Sequence, residues 1–80
     1  MPNRPVTLVQ CELGDRVKVF AMAAGQGATL DLMNMGLNIG DEIELVQRSP
    51  FRGPLLIQHD GTRIAIGFRM AQQILVRKSG

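Results

Sequence analysis

Polar and apolar residues alternate in several short segments of this chain, and turn-forming residues separate the segments. Successive side chains of a strand point to opposite faces, so alternation gives each segment one face to bury and one to leave in water. In Arg16-Val17-Lys18-Val19-Phe20-Ala21-Met22 this places Val17 and Val19 inward. In Glu42-Ile43-Glu44-Leu45-Val46-Gln47-Arg48 it places Ile43 and Leu45 inward, with Glu42 and Glu44 outward. Leu55 to His59 is a third strand. Thr62 to Phe68 is a fourth, with Ile64, Ile66 and Phe68 on one face, and Ile74-Leu75-Val76 is a short fifth. Asp60-Gly61 joins the third to the fourth, because a two-residue type I′ hairpin turn needs positive φ at both central residues.

One segment breaks the pattern. From Ala28 to Met35 the period is helical: Leu30, Met33 and Leu37 fall at i, i+3 and i+7 and predict a buried stripe, widened by Leu32 and Met35. Gly36 stands where a left-handed C-terminal cap belongs, and Gly40 closes the turn that follows. About two turns of helix are unstable alone and must pack on a sheet. Short strands leave exposed edges, and closing the sheet removes them. The expected fold is all-β with one short α-helix: a small five-stranded barrel with the helix between the first two strands. Residues 1–7 read as an extended lead-in and Leu8-Val9 as an apolar anchor.

At 80 residues the chain reads as a single domain, and 45% hydrophobic residues suffice for a core. Cys11 is the one cysteine, so no intramolecular disulfide forms and a reduced, cytoplasmic setting is expected. A net charge of +2 is no cationic stripe, and three phenylalanines with no Trp or Tyr leave little for bases to stack on. Phe20 and Phe68 lie in strands and are expected in the core, so nucleic acid and proline-rich peptides are not expected partners. The longest uncharged run, Val19 to Leu30, is 12 residues, against about 20 for a bilayer-spanning helix. No apolar stretch marks a signal peptide after Val6, and no membrane insertion is expected.

Catalysis lacks parts. Cys11 and His59 are the one nucleophile–base pair available, and nothing in the sequence brings them together. Gly25-Gln26-Gly27 precedes the helix but lacks the Gly-Lys-Ser/Thr that cradles phosphate. Cys11, His59, Asp60, Glu42, Glu44 and the methionines are ligand types without metal-site spacing, so Met33 and Met35 read as core and His59 as a surface residue. No enzyme, cofactor or metal site is expected. A binding surface remains. The loop Ser49 to Pro54 presents Phe51 between two prolines, and Arg48, Pro50, Phe51, Arg52 and Gly53 form the candidate contact set. Phe51 either anchors a partner or folds back to plug the barrel mouth. The helix and turn from Leu32 to Gly40 form a second candidate surface.

Three motifs together resemble the ferrous iron transport protein A family. Leu32-Met33-Asn34-Met35-Gly36-Leu37-Asn38-Ile39-Gly40-Asp41 is similar to its LLxMGLxPG signature, with Ile39 where the family has proline. Leu13-Gly14-Asp15 resembles its approach to the first strand, and Arg48 to Leu55 its R-x-P-L-G-x-P loop. Gly61 to Ala65 and Ile74-Leu75-Val76 fall where the family has its last hairpin and strand, so the resemblance spans about residues 8–76. It implies an SH3-like barrel, which agrees with the barrel read from periodicity. It also implies a small cytosolic regulator that binds a ferrous iron permease carrying a GTPase domain. The same barrel ends bacterial iron-dependent repressors, which makes a metal-responsive or nucleic-acid-associated module the alternative. The resemblance leaves the oligomeric state open.

Overall fold

Each alternating segment becomes a strand in a computed structural model of the chain, which describes residues 4–23 and 26–79. In chain order, β1 is Val6–Thr7, β2 Arg16–Met22, β3 Glu42–Arg48, β4 Leu55–His59, β5 Thr62–Ile66 and β6 Ile74–Lys78. Helix α1 (Gln26–Asn34) lies between β2 and β3, and α2 (Phe68–Ala71) between β5 and β6. A 3-10 turn, Leu8–Gln10, follows β1. All pairings are antiparallel and the sheet runs β1-β6-β2-β3-β4-β5.

The core is aliphatic. Val17 and Val19 of β2, Ile43 and Leu45 of β3, Leu55 and Ile57 of β4, and Ile74 and Val76 of β6 are buried, two per strand as the alternation requires. Ile66 adds one residue from β5, while Leu8, Leu32, Leu37 and Ala71 close the layer from the 3-10 turn, the helices and the connection after α1. Full burial of a Val, Leu or Ile side chain contributes about 1.5–3 kcal/mol, so this layer is the main force holding the sheet curved.

Four details depart from the sequence reading. Among the described residues the sheet has six strands, not five, because Val6 and Thr7 of the lead-in pair with Val76 and Leu75. The hydrogen-bonded order ends at β1 and β5, so the sheet curves without closing through its ladders. Phe20 is 40% exposed rather than core: it is the extra residue of a bulge between Val19 and Ala21 and points outward, as Lys18 does. Phe68 starts α2 instead of ending a strand and packs half-buried against the core.

The helix also turns a different face inward. Leu30 and Met33 are 60% and 50% exposed, while Leu32 is fully buried and Met35 half-buried. Leu37 is buried from beyond the helix, not as part of its stripe. The reason is the cap. Gly36 has φ +95°, its N–H donates to Met33 O at 2.9 Å, and Leu37 N–H donates to Leu32 O at 3.1 Å. These are the two bonds of a Schellman motif, whose apolar contact joins the residue after the cap to the one four residues before the cap. Here those residues are Leu37 and Leu32, both at 0% exposure. The cap rather than the stripe fixes how α1 sits.

A Cβ at Gly36 would meet no atom within 4 Å, so a substitution there costs conformational energy and not space. Gly36→Ala is expected to lower unfolding free energy by about 1–2 kcal/mol, the cost of a left-handed L-residue. Denaturant titration with an unchanged slope measures it. An unchanged midpoint would show that the cap does not hold α1.

Candidate functional site

Between β3 and β4 the chain must reverse, and it does so in a strained way. Arg48 pairs with Leu55 at the base of the hairpin. Above them Ser49 N–H donates to Pro54 O at 3.2 Å, and Gly53 N–H donates to Pro50 O at 3.0 Å. The residues inside that last bond, Phe51 and Arg52, have φ of +56° and +59°. A four-residue turn with two positive φ values has type I′ character, and such turns favour Asn-Gly. Phenylalanine and arginine are strained there, because a left-handed backbone costs an L-residue roughly 1–2 kcal/mol. Backbone strain of this kind persists where the surrounding structure enforces it.

Gly53 supplies the enforcement. A Cβ on Gly53 would lie 2.7 Å from the Ser49 Cβ and 3.1 Å from the Pro50 carbonyl oxygen, so only glycine lets the two arms of the loop approach. Pro50 and Pro54 restrict the same arms.

Of the two readings of Phe51, the structure excludes the plug. Its side chain is 99% exposed, the most exposed large apolar residue described. Arg52 is exposed beside it and places its guanidinium carbon 5.9 Å from the centroid of the Phe68 ring, which ties the turn to α2. Arg48 differs from the expected contact set. Its Nη2 donates to the carbonyl of Val9 at 3.0 Å and to that of Cys11, so the guanidinium fastens the N-terminal segment to β3. Gly53 shapes the turn, and Pro50, Phe51 and Arg52 are what the turn presents.

Gly40 and Gly61 have φ of +96° and +82°, and Asp60 at +54° completes the β4–β5 hairpin turn. Of the second candidate surface, Leu32 and Leu37 are buried, while Met33 and Ile39 stay exposed. His59 is more engaged than a surface residue. Its Nδ1 lies 3.0 Å from the Glu42 carbonyl and its Nε2 3.3 Å from Asp41 Oδ2. Among the described residues no three His, Cys, Asp or Glu side chains gather as a metal-binding group. No helix among them is long and apolar enough to cross a membrane.

Cys11 is buried against the core. Burial pushes its thiol up from the ordinary value, the Asp15 carboxylate adds to the rise, and Arg48 and Lys78 oppose it. The thiolate is the reactive form, so this cysteine is suited to packing and not to nucleophilic attack. A raised folded-state value means the folded protein holds its proton longer than the unfolded chain. The stabilisation from the buried thiol is present below the unfolded thiol's range and is lost as pH rises from there through the raised folded value.

The chain was compared with known proteins. Residues 6–78 match the model of the FeoA domain. A protein of Methanocaldococcus jannaschii that carries the name Fe(2+) transport protein A is 38% identical over 63 residues, covering 79% of this chain and 74% of that protein. The crystal structure of an iron uptake regulatory protein (FeoA) superposes with a TM-score of 0.82 at 33% identity, covering 95% of this chain and 99% of the other. A manganese-dependent transcriptional repressor superposes with a TM-score of 0.84 at 20% identity, and 43% of its length is covered. That last likeness is one of fold alone.

Two outcomes follow from the geometry. Replacing Phe51-Arg52 by Asn-Gly is expected to raise unfolding free energy by about 1 kcal/mol or more, because it removes left-handed strain from two residues. A loss of stability would show that the turn is not strained. Native Cys11 is expected to alkylate with iodoacetamide more slowly at pH 8 than the same protein in denaturant, and equal rates would contradict its burial.

Proposed function

The chain belongs to the FeoA domain family, and on that premise we propose that it is an accessory protein of ferrous iron uptake. It acts by protein–protein contact with the cytosolic domain of a ferrous iron permease. Iron transport is what the names of its relatives state. The contact itself is supported by one observation: a phenylalanine 99% exposed on a turn whose backbone is held left-handed.

Exposure and strain together make the argument. An apolar side chain of that size in water gains most of its burial energy only when something covers it. Holding it on a rigid turn lowers the entropy lost on docking. An aromatic beside an arginine is the composition of interface hot spots, where a few residues carry most of the binding energy. Phe51 is the anchor in this reading. Arg52 lies at its side and assists encounter through its charge. Pro50 and Gly53 hold the geometry, and Arg48 holds the base of the hairpin.

The reading as a metal-responsive module of the repressor type has the shared fold behind it and no converging ligand set among the described residues. It is the weaker of the two.

Phe51→Ala separates docking from folding. Melting is expected to stay within a few degrees, since a core aromatic costs about 3–5 kcal/mol on truncation and an exposed one does not. Affinity for the purified cytosolic domain of the permease, measured by calorimetry, is expected to fall at least about tenfold. A stable Phe51→Ala protein with unaltered affinity would remove the turn from the mechanism.

A further inference from the structure

Strand β2 carries a second apolar surface that shares no residue with the Ser49–Pro54 turn. On its outer face Lys18 and Phe20 lie side by side, and the loop before β3 is docked against them. That docking is specific: Gly40 N–H donates to Val19 O at 2.7 Å, and Val19 N–H donates to Asp41 O at 2.9 Å. The two bonds fix Ile39, which is 49% exposed, as a wall opposite Phe20. Between them runs a groove of about 430 Å³ whose rim includes Lys18 and Arg77.

One cross-strand pair at this groove is unfavourable. Lys18 of β2 lies directly opposite Arg77 of β6. Like charges facing each other across a ladder are destabilising. Glu42 is opposite Lys18 on the other side, in β3, beyond ion-pair distance, and its carboxylate accepts from the Ser79 hydroxyl while keeping its charge. Asp41 is likewise engaged, accepting from Asn38 N–H at 2.8 Å and lying beside His59. Among the described residues the ion pairs are Arg16–Glu44 and His59–Asp41, and neither includes Lys18, Arg77 or Lys78. Arg77 lies with its guanidinium carbon 3.9 Å from the centroid of the Phe20 ring, which satisfies the ring face and leaves the guanidinium without a carboxylate. Alternation along β2 puts that ring on the outer face, and the bulge between Val19 and Ala21 leaves Phe20 without a cross-strand partner.

We propose that this groove binds an acidic peptide segment of a partner protein, with an apolar side chain seated between Phe20 and Ile39 and carboxylates on Lys18 and Arg77. Charge complementarity selects this occupant. Two facing cations without ion-pair partners beside an apolar floor match a segment in which Asp or Glu flanks Leu or Phe. Arg77 supplies a fork for one carboxylate, and Lys18 supplies a point charge. A nucleic acid would make no use of the aliphatic wall at Ile39. An anionic membrane surface is ordinarily read by clusters of about 4–8 basic residues on one face, more than this rim provides.

The test uses the isolated protein and no permease, so its result is independent of the function proposed above. The ¹⁵N-labelled chain is titrated with the peptide Asp-Glu-Leu-Phe-Glu-Asp, with an Asn/Gln analogue of it, and with an analogue in which Leu-Phe is Ala-Ala. Shift changes are expected to cluster at Lys18, Phe20, Ile39, Gly40 and Arg77. Both analogues are expected to bind at least about tenfold more weakly. Lys18→Gln and Arg77→Gln are each expected to weaken binding of the acidic peptide while the spectrum stays native, and raised salt to weaken it further. Equal binding of the Asn/Gln analogue, shift changes centred on residues 49–54, or tighter binding to phosphatidylserine vesicles or a single-stranded oligonucleotide would each overturn the proposal.

Discussion

Two inward aliphatic side chains from each of β2, β3, β4 and β6 fill one layer, and the remaining elements are placed by what that layer leaves uncovered. Leu8 on the 3-10 turn, Leu32 and Leu37 around the cap of α1, and Ala71 on α2 close its open sides. Folding an 80-residue chain leaves little surplus stability, so each of these contacts matters. The layer is complete without an aromatic ring. That single fact decides the surface, because all three phenylalanines are then left outside the fully buried set. Phe68 packs half-buried against the core, Phe20 lies on the outer face of β2, and Phe51 stands in solvent.

Two of these rings share a pattern and one does not. Arg77 covers Phe20 and Arg52 reaches toward Phe68, so each has a cation at its face. Phe51 has neither cation nor core, and the backbone under it is held at positive φ. Stability alone selects neither feature, since glycine or asparagine would fit the turn better and a polar side chain would suit the solvent. The like-charged Lys18 and Arg77 pair is a third local cost in the same fold. Natural sequences depart from locally best choices mainly at functional or strained sites, and here the departures fall on two surface patches.

Strands were readable because valine, isoleucine and leucine alternate with charged residues over several positions, as in Arg16 to Val19 and Glu42 to Leu45. The same alternation assigns Phe20 to the outer face, and treating it as core overrode the period that had placed Val17 and Val19 correctly. β1 has two residues and therefore no period, and its strand character comes from a partner some 70 residues away, Val76 paired with Val6. The face of α1 was misread for a related reason. Leu30, Leu32, Met33 and Met35 ring the helix, so spacing alone does not choose a side, and the Leu32–Leu37 contact across the cap does. At the candidate site the loop and its exposed aromatic were legible from Pro50, Phe51 and Pro54. The type I′ geometry was not, because Phe-Arg is not a sequence that forms such a turn by itself. It is imposed by the Gly53–Ser49 approach and the ladder below. The role of Arg48 was equally hidden, since its acceptors, Val9 and Cys11, lie nearly forty residues away.

The central claim is that Phe51 is held ready on a left-handed turn before any partner arrives. Positive φ brings the amide proton close to its own α-proton, so NMR reads it directly as a strong intraresidue cross-relaxation peak. In the free protein, strong peaks are expected at Phe51 and Arg52, comparable to the one at Asp60, whose φ is +54°. Addition of the permease's cytosolic domain is expected to leave them unchanged. Weak peaks at Phe51 and Arg52 in the free protein that strengthen only on binding would contradict the account, because the turn would then be formed by the partner and not by this chain.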